Sequence, residues 1–548
     1  MLDDLPYTAG PKPNHQGNRG GRKMIGVSRS RVKPTAPAPL LPPPTTWRIS
    51  QATGRVTRAA LGRVDHVVVV TPHEVPAAVW RSVPGLGNLQ STFRRLGKEA
   101  PGRALRGALG PVALTLGALP APDRRATTTL PPPFGLLRFA GDIVADALAD
   151  DPRSLALLVQ GFGPDDEAVV RQALLLAIGA RAFSPPAFRR KARVPALRTV
   201  HLPGLRAPVD LARTLAEIEG ANLVRWLTAL PANRLSATAY REVLAGLARR
   251  HGWDFEWLDE AALRRLNAGA FLAVAQGNAR PEAGIARLRY RPKSAARGAA
   301  PDLALIGKGI IFDTGGTNLK QAQHMLDMHT DMAGSAVALA VLRALTALKA
   351  PVSADCWLAI TENRTGPTAY KQRDVVTAVN GTTIEVMHTD AEGRMVLADT
   401  LAIAAREKPG LMLDFATLTG ACVYALSERY SGAFTNRAAL NDLLVRAGRA
   451  SGERVWPFPN DPDFDDDIKS KIADVAQCAS GGEADHILAA RFLQRFVPAA
   501  TPWIHLDLAA AVRKDGLGQM PAGPTGFGVR YSLALLLDHA AELKQLAG

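Results

Sequence analysis

Two carboxylates stand two positions apart in the stretch 388–394, whose sequence is His-Thr-Asp-Ala-Glu-Gly-Arg. A β-prone run rich in apolar residues, 374–387, precedes this stretch, and a helix-like run, 395–405, follows it. Open α/β sheets bind their ligands at such junctions, beyond the carboxyl ends of their strands. The spacing therefore predicts that Asp390 and Glu392 point at one ligand.

A second cluster of polar residues lies upstream, in the segment 308–331. It contains a lysine and an aspartate on either side of an apolar run, two glycines at 315–316, another lysine and another aspartate. Together the two clusters supply four carboxylates, which are Asp313, Asp331, Asp390 and Glu392. Four negative charges balance two divalent cations, as a two-metal hydrolytic site requires. Oxygen ligands suit Mn²⁺ or Mg²⁺, and Zn²⁺ also accepts carboxylates.

Three basic residues accompany the carboxylates: Lys308, Lys320 and Arg394. If Lys308 binds a metal ion, its amine must lose its proton, which burial beside a dication favours. Lys320 and Arg394 would then keep their positive charge. They would be available for a developing oxyanion or for an anionic cofactor.

Each of these residues also has a simpler interpretation when it is taken alone. An aspartate such as Asp331 at the start of a helix usually caps that helix, and the glycines at 315–316 indicate a turn with positive φ. Lys308 alone would be a solvated surface lysine, and an Asp-x-Glu spacing occurs by chance in many proteins. Only the joint pattern favours a metal site.

A competing interpretation concerns the segment 312–318, Phe-Asp-Thr-Gly-Gly-Thr-Asn. This segment resembles the phosphate-binding hairpin of sugar kinases with an actin-like fold. In those kinases the hairpin lies near the start of a domain, whereas here it begins about 310 residues into the chain. The kinase interpretation also gives no role to Lys308, Asp331 or the segment 390–394, and the metal site is therefore favoured.

The elements that must position these clusters alternate between strands and helices, which predicts an α/β fold with two α/β domains. Buried strands are predicted at 67–70 and 155–159, and helices at 136–148 and 165–178. These elements belong to a predicted N-terminal α/β domain with a parallel sheet, residues 63–205.

A long amphipathic pattern predicts a connecting helix within residues 206–230. Residues 231–548 then form a larger catalytic α/β domain with a central mixed sheet, in which Ser236 caps a helix over 237–249. A helix of small residues is predicted at 333–348, where it can pack closely on a sheet. The strands predicted for this domain lie at 270–274, 303–306, 310–312, 411–415 and 503–507.

The net charge of +16 is unevenly distributed over the 548 residues, because residues 1–62 contain ten Lys or Arg, two Asp and nine Pro. This composition predicts a disordered, basic, proline-rich extension, which we call the basic tail. A basic tail can contact nucleic acid. A nucleic-acid-binding protein is therefore the competing function class, although it is not the favoured one.

Three widely spaced cysteines argue against a disulfide scaffold and for a reducing compartment. The chain has no run of about 18 uninterrupted apolar residues, which argues against a membrane span. The N-terminus lacks the apolar core of a signal peptide. These features predict a cytoplasmic protein that does not contact a membrane.

The two clusters together resemble the leucyl (cytosol) aminopeptidase family. The resemblance rests first on Gly-Lys-Gly at 307–309, Asp-Thr-Gly-Gly at 313–316, and Thr-Asp-Ala-Glu-Gly-Arg at 389–394, with Lys320 and Asp331 in the matching order. Supporting motifs are Phe-Leu-Ala-Val-Ala-Gln-Gly at 271–277, Ala-Thr-Leu-Thr-Gly-Ala at 416–421 and Thr-Gly-Phe-Gly-Val-Arg at 525–530. The resemblance covers roughly residues 215–535, whereas the N-terminal region is similar only in general pattern.

The resemblance implies a metal-dependent aminopeptidase that releases N-terminal amino acids from peptides through a hydroxide activated by two metal ions. It implies two divalent cations per subunit, Mn²⁺ or Zn²⁺, in a cytoplasmic homohexamer. Lys320 and Arg394 match the family's catalytic pair, and Arg394 is expected to hold a bicarbonate that shuttles a proton to the leaving amine. The implied metal ligands, of which Asp313 and Glu392 would bridge the two ions, are Lys308, Asp313, Asp331, Asp390 and Glu392.

Two departures from the family pattern concern substrate preference and assembly. His388 stands where the family usually has Asn, beside the pocket for the first side chain of the substrate. It has either a role in specificity or no role beyond packing or facing solvent. The segment 481–486, Gly-Gly-Glu-Ala-Asp-His, replaces a loop that is richer in Gly and Arg.

Overall fold

The computed structural model describes residues 39–43, 45, 47–122, 129–190, 194–296 and 298–548. Most of the basic tail, with its predicted disorder and nucleic-acid contacts, lies outside these residues. Its last part is ordered, however, because Arg48–Thr53 forms a parallel β-strand beside Thr199–Leu205. The prediction of disorder up to residue 62 is therefore wrong at its C-terminal end. This strand is mostly exposed at the edge of a sheet, and for this reason its sequence shows no apolar pattern. The hydrogen bonds to the neighbouring strand order it instead.

The first sheet contains six strands in the order β1-β6-β5-β2-β4-β3. Neighbouring strands are parallel, except that β3 and β4 are antiparallel. The four consecutive valines at 67–70 are fully buried in the strand that the sequence predicts there. The strands are β1 Arg48–Thr53, β2 His66–Thr71, β3 Ala104–Leu109, β4 Val112–Ala118, β5 Ser154–Val159 and β6 Thr199–Leu205.

Helices cover both faces of this sheet and bury separate apolar clusters against it. The longest, α5, begins with three acidic residues in its first turn, which the helix dipole favours. The helices that precede the connecting segment are α1 Arg58–Leu61, α2 Ala77–Ser82, α3 Gln90–Leu96, α4 Pro133–Leu148 and α5 Pro164–Arg181.

The predicted connecting helix is present as α6, Ala212–Thr228. Ile218 packs into the apolar core beneath the first sheet, whereas Leu223 and Trp226 pack into the core beneath the second sheet. Residues 38–548 form one compact unit. The domain limits at 205 and 230 therefore stay predictions.

The second sheet contains eight strands and is mixed, as predicted. Its centre, β17-β13-β9-β10, is parallel, while β7 and β8 on one side and the β14–β17 pair on the other are antiparallel. The α/β class predicted from the sequence is thus confirmed. The remaining strands, including those of two small sheets, are β7 Asp254–Asp259, β8 Gly284–Tyr290, β9 Leu303–Asp313, β10 Ala354–Asn363, β11 Val375–Thr377, β12 Thr383–Glu385, β13 Leu411–Ala416, β14 Ser431–Thr435, β15 Val455–Pro457, β16 Val475–Ala476, β17 Trp503–Asp507, β18 Val512–Arg513 and β19 Gly523–Pro524.

Helices again lie on both faces of the second sheet, with one large apolar cluster on each face. Ser236 caps the first of them, as predicted, because its hydroxyl accepts a hydrogen bond from the Ala239 amide. These helices are α7 Ala237–His251, α8 Glu260–Arg265, α9 Gly269–Ala275, α10 Ala322–Met325, α11 Ala333–Ala347, α12 Glu392–Ala405, α13 Gly420–Leu426, α14 Asn441–Ser451, α15 Asp485–Gln494, α16 Val529–Leu533 and α17 Ala540–Ala547.

The strand predicted at 270–274 is wrong, because these residues form helix α9. The Phe271 amide donates a 2.8 Å hydrogen bond to the buried carboxylate of Asp399. This bond satisfies one of the free amides at the start of the helix. A short apolar run has no period that separates a buried strand from a buried helix, so only the tertiary contact decides.

The kinase interpretation of residues 312–318 is wrong as well. A phosphate-binding hairpin would pair β9 with an antiparallel neighbour, but both neighbours of β9, β10 and β13, run parallel to it. The two glycines that follow β9 have φ values of 86° and 65°. They form the turn that the simpler interpretation of 315–316 predicts.

By length and composition alone, the helical stretch Ala322–Ala347 could cross a membrane, as core helices of many globular folds could. Its most apolar window is 78% buried inside the fold. The second half of the stretch is α11, whose small side chains pack between the second sheet and α6.

The close approach of α11 to the sheet depends on Gly334. A methyl group on Gly334 would lie 2.2 Å from the backbone oxygen of Phe415 in β13. We therefore expect Gly334→Ala to lower the free energy of unfolding by about 1–3 kcal/mol. The matched control is Gly246→Ala in α7, where the new methyl meets nothing closer than 3.9 Å and stability should rise by up to about 1 kcal/mol. Urea denaturation of both variants measures the difference, and equal stabilities would contradict the packing argument.

Candidate metal centre

Adjacent parallel strands of the second sheet end at one edge, and each delivers a polar residue there. Asp313 ends β9, Asn363 ends β10, and Thr417 directly follows β13. The loop after β9 returns to the same edge with Asp331, just before α11, and α12 begins there with Glu392. Parallel topology therefore brings together residues that lie more than a hundred positions apart in the chain.

The carboxylates of Asp313, Asp390 and Glu392 converge at this edge. Their nearest oxygens all lie within 4.8 Å of one another. The ammonium Nζ of Lys320 lies 2.9 Å from Asp313 Oδ2 and 2.6 Å from Asp390 Oδ1. A positive charge thus stands between two of the three carboxylates, where a cation would be held.

Lys308 stands in a corresponding position on the other side of Glu392. Its Nζ lies 2.8 Å from Asp331 Oδ1, 2.8 Å from Glu392 Oε1 and 2.8 Å from the carbonyl oxygen of Thr417, to which it donates. Lys308 is only 2% exposed, so the simpler interpretation as a solvated surface lysine is wrong. A methyl group on Gly393 would lie 2.7 Å from this Nζ, which explains the glycine after Glu392.

Asp331 does not cap the helix that follows it. The N-cap residue of α11 is Met332, and Asp331 Oδ1 instead accepts a 2.7 Å hydrogen bond from the hydroxyl of Thr417. The helix-cap interpretation is therefore wrong. Asp331 Oδ2 and Glu392 Oε2 are buried without a hydrogen-bond partner among the described residues. Buried oxygens without partners are costly, and a bound cation would satisfy both, so the side chains fit a metal site.

The crowding of negative charge shifts the carboxylate pKa values upward. Burial, followed by Glu392 and Asp331, raises the pKa of Asp313 well above its usual range. Burial also raises the pKa of Asp331 to about 7, even though Lys308 opposes the shift. Burial and Glu392 raise the pKa of Asp390. These carboxylates are therefore poised to give up a proton when a cation enters.

The pKa values of the two lysines and of Glu392 shift so that their charged forms are favoured. Burial alone would lower the pKa of Lys308, but Asp331 and Glu392 outweigh burial and raise it. The pKa of Lys320 is raised in the same way, with Asp313 as the main opposing charge. Burial pushes the pKa of Glu392 up, but Lys308 and Lys320 bring it below its usual value. Without a metal ion, the site therefore holds two ammonium ions and at least one carboxylate.

A group of side chains that the sequence analysis missed supports the loop 388–391. The Thr389 carbonyl oxygen accepts hydrogen bonds from Asn363 Nδ2 at 3.0 Å and from the Tyr370 hydroxyl at 2.8 Å. Asn363 Nδ2 also donates to Asp313 Oδ1 at 2.8 Å, which orients that carboxylate. The sequence could have indicated Asn363, because it is a polar residue at the end of a buried strand. No sequence signal indicates Tyr370, because its contact with Thr389 exists only in the folded chain.

His388 and Arg394 flank the carboxylates with different environments. His388 is exposed, and its Nδ1 accepts a 3.3 Å hydrogen bond from the Asp390 amide. Arg394 is 2% exposed, and its Nη2 contacts both carboxylate oxygens of Asp485, at 2.7 and 2.9 Å. The structure thus faces His388 towards solvent and pairs Arg394 with a residue of the unusual segment 481–486.

A largely buried set of four carboxylates and two lysines at the carboxyl edge of a mixed α/β sheet is typical of one class of protein, the metallohydrolases. Residues 222–533 match the model of the family described as "Cytosol aminopeptidase family, catalytic domain". The chain belongs to this family. The predicted peptidase class of hydrolase is thereby confirmed at the level of the family.

Curated relatives support the same conclusion. The chain is 43% identical over 339 residues to the probable cytosol aminopeptidase of Syntrophotalea carbinolica. This alignment covers 61% of this chain and 66% of that relative. It is 37% identical over 415 residues to the probable cytosol aminopeptidase of Solibacter usitatus. This second alignment covers 74% of this chain and 84% of that relative. The match thus spans somewhat less than two thirds of the length of the first relative.

Two solved structures share the fold over nearly the whole chain. The bottromycin maturation enzyme BotP in complex with Mn superposes with a TM-score of 0.73 at 30% identity, over 88% of this chain and all of the other. The leucyl aminopeptidase from Leishmania major in complex with actinonin superposes with a TM-score of 0.75 at 25% identity, over 90% of this chain and 95% of the other. The similarity includes the N-terminal sheet, for which the sequence showed only a general pattern.

The raised carboxylate pKa values predict how metal affinity depends on pH. Below about pH 7 a cation must displace a proton from Asp331 as well as from Lys308, whereas above pH 7 the carboxylate is already ionised. The apparent affinity for Mn²⁺ should therefore rise with pH, by up to about tenfold per pH unit for each displaced proton, and more steeply below pH 7 than above it. Titration calorimetry in buffers of different ionisation enthalpy measures the affinity and the protons released. An affinity that does not change with pH would contradict the proposed ligands.

Proposed function

We propose that this chain is an aminopeptidase that removes N-terminal residues from peptides with the help of two divalent cations, Mn²⁺ or Zn²⁺. One observation carries the proposal: two lysine ammonium groups hold together four largely buried carboxylates, two of which keep an oxygen without a hydrogen-bond partner among the described residues. Negative charge of this density is unstable in a protein interior unless cations balance it. The proposed ligands are Lys308, Asp313, Asp331, Asp390 and Glu392.

The division of the ligands between two cations follows from their contacts. Glu392 and Asp331 share Lys308, and Asp313 and Asp390 share Lys320. The family resemblance implies that Asp313 and Glu392 would bridge the two ions. The nearest oxygens of Asp313, Asp390 and Glu392 lie within 4.8 Å of one another, which supports a shared site for cations. Lys308 cannot leave the site when a cation enters, since it is buried in β9, and it would bind as the neutral amine.

Cations bound here supply Lewis acidity, an activated water and a position for the free α-amine of the substrate. The chain contributes the fixed geometry and the remaining charge. If Asp313 and Asp390 bound cations, Lys320 would lose its two partners and could donate to a developing oxyanion. Asn363 keeps Asp313 in orientation through the 2.8 Å hydrogen bond to its other oxygen.

The family resemblance also implies a bicarbonate at Arg394. The side chains around this guanidinium do not fit that anion, because the carboxylate of Asp485 already contacts it. We therefore derive no step through bicarbonate. Arg394 remains a proposed functional residue through its position on α12, two residues after Glu392.

The substrates, assembly and location proposed here rest on the family. The partners are peptides with a free N-terminus, and His388, exposed beside Asp390, is proposed to contact the first side chain of the peptide. A homohexamer in the cytosol is proposed from the resemblance and from relatives named cytosol aminopeptidases. Large exposed apolar side chains, which an assembly could cover, include Leu326, Tyr424, Trp456 and Ile472.

The proposed activity is tested with the purified full chain and a panel of amino-acid anilides and short peptides. We expect release of the N-terminal residue in the presence of Mn²⁺ or Zn²⁺ and loss of this release after a chelator removes the metal. Restoring the cation should restore the activity. If none of the substrates is cleaved in a metal-dependent way, the proposed function is wrong.

The role of Lys320 is tested by Lys320→Ala. Loss of one donor to an oxyanion typically lowers kcat by about 10²–10³, and a comparable fall is expected here. The control is Lys371→Ala, because Lys371 also pairs with an aspartate but is 67% exposed and lies outside the cluster. The control should keep kcat within about twofold, since exposed ion pairs contribute little. A change of less than threefold for Lys320→Ala would contradict its proposed role.

A further inference from the structure

The guanidinium of Arg394 is held on two sides inside the protein. Its Nη1 donates a 3.2 Å hydrogen bond to the Gln477 carbonyl, and its Nη2 lies 2.7 and 2.9 Å from the two oxygens of Asp485. Gln477 also binds the loop before Glu392, because its Oε1 accepts from the His388 amide and its Nε2 donates to the Ala391 carbonyl. Arg394 therefore has a fixed orientation in which Asp485 is its only charged hydrogen-bond partner among the described residues.

The contact with Asp485 blocks both ways in which Arg394 could grip a planar anion. A guanidinium binds carbonate or carboxylate with two parallel N–H groups, either from Nε and Nη2 or from Nη1 and Nη2. Nη2 belongs to both pairs, and Asp485 contacts it with both carboxylate oxygens. A second anion that used either pair would lie against this carboxylate, and the Nε group has no partner among the described residues. A free bicarbonate would have to displace Asp485 before Arg394 could hold it with two hydrogen bonds.

The charges of the site lead to the same conclusion. Four carboxylates balance two divalent cations, and Asp485 balances Arg394. A bicarbonate at Arg394 would place a second negative charge beside the carboxylate of Asp485, which already balances this guanidinium. An uncompensated charge in a protein interior is strongly unfavourable. Without Asp485, in contrast, Arg394 would be left as an unpaired buried cation, and an anion from solution would be favoured.

Asp485 belongs to the segment 481–486, the part of the sequence that departs from the family pattern and that the proposed function left unused. It is the first residue of α15, and Ala484 before it has a left-handed φ of 52°. Helix α15 is itself anchored, because Arg491 binds both oxygens of Asp465 at 2.8 Å. The backbone thus delivers the carboxylate to Arg394 from a fixed element.

We propose that Asp485 is a built-in anion that takes the place of bicarbonate at Arg394, so that this aminopeptidase does not depend on bicarbonate. The proposal rests on the proposed function for its activity readout but not for its binding readout. Asp485 is a positioning residue, because it acts through Arg394. It neutralises the guanidinium and fixes its direction beside Glu392.

The first experiment measures peptide cleavage by the Mn²⁺-loaded enzyme in buffers purged of CO₂, with and without added bicarbonate. The natural enzyme should show the same activity in both. Asp485→Ala should lose activity by about 10–100-fold in the purged buffer, as expected when a buried charge loses its hydrogen-bonded partner. Added bicarbonate should restore a large part of that activity, and a purely structural role would not produce such a rescue.

Asp465→Ala is the matched control. Asp465 and Asp485 are both 27% exposed, and both bind a buried arginine through two oxygens, with Arg491 at 9% and Arg394 at 2% exposure. The control removes a comparable ion pair of the same helix, in which Asp465 also lies 3.3 Å from Arg495. It should not acquire any response to bicarbonate.

The second experiment measures binding without catalysis. The ¹³C relaxation of labelled bicarbonate is followed with the Mn²⁺-loaded protein, whose paramagnetic ion broadens the signal of any anion bound nearby. We expect saturable broadening with Asp485→Ala and none with the natural protein or with Asp465→Ala. If the natural protein cleaves no substrate, the proposed function fails, and this experiment still decides the role of Asp485.

Two results would overturn the proposal. One is a natural enzyme that loses activity in purged buffer and regains it with bicarbonate, or that broadens the bicarbonate signal saturably. The other is a folded Asp485→Ala enzyme that neither binds nor responds to bicarbonate. If Asp485→Ala does not fold, Asp485→Asn replaces it, because asparagine keeps the side-chain volume. The activity and relaxation measurements on the natural protein still test the proposal in that case.

Discussion

The structure of this protein depends on one electrostatic constraint, which is to keep four carboxylates side by side in a largely buried site. Burial, together with their mutual repulsion, raises the pKa values of Asp313, Asp331 and Asp390. Two lysines offset part of this repulsion, each by bridging a pair of carboxylates. The same lysines are the groups that must give way or lose a proton when divalent cations bind. This unfavourable crowding of negative charge would favour the binding of divalent cations at the proposed site.

The fold meets this constraint by placing the charges where parallel strands end. β9, β10 and β13 stop at the same edge, and α11 and α12 begin there. Close contact between α11 and the sheet needs Gly334, and the reach of Lys308 to Glu392 needs Gly393. Uncharged side chains then donate hydrogen bonds to single carboxylate oxygens: Asn363 donates to Asp313, and Thr417 donates to Asp331. These neutral contacts fix the directions of the charged residues to which we assign the proposed chemistry.

Arg394 and Asp485 extend the same charge balance beyond the metal ligands. A buried arginine needs an anion, which either the chain or the solvent can supply. Here the segment 481–486 supplies a carboxylate of its own at 2.7 Å. A departure in one loop can in this way change a requirement for a small anion while the ligand set stays the same.

The sequence alone determined the α/β class, the family and the candidate site residues, because apolar periodicity and a dense motif such as 389–394 depend on neighbours in the chain. It did not determine features that depend on distant contacts. The edge strand β1 is ordered by β6, and residues 269–275 form a helix whose first amides bind Asp399. The partner of Arg394 lies 91 residues away. Only the tertiary structure brings Asp485 to Nη2 of Arg394, because neither the spacing nor the composition of the sequence determines which buried charges form a pair.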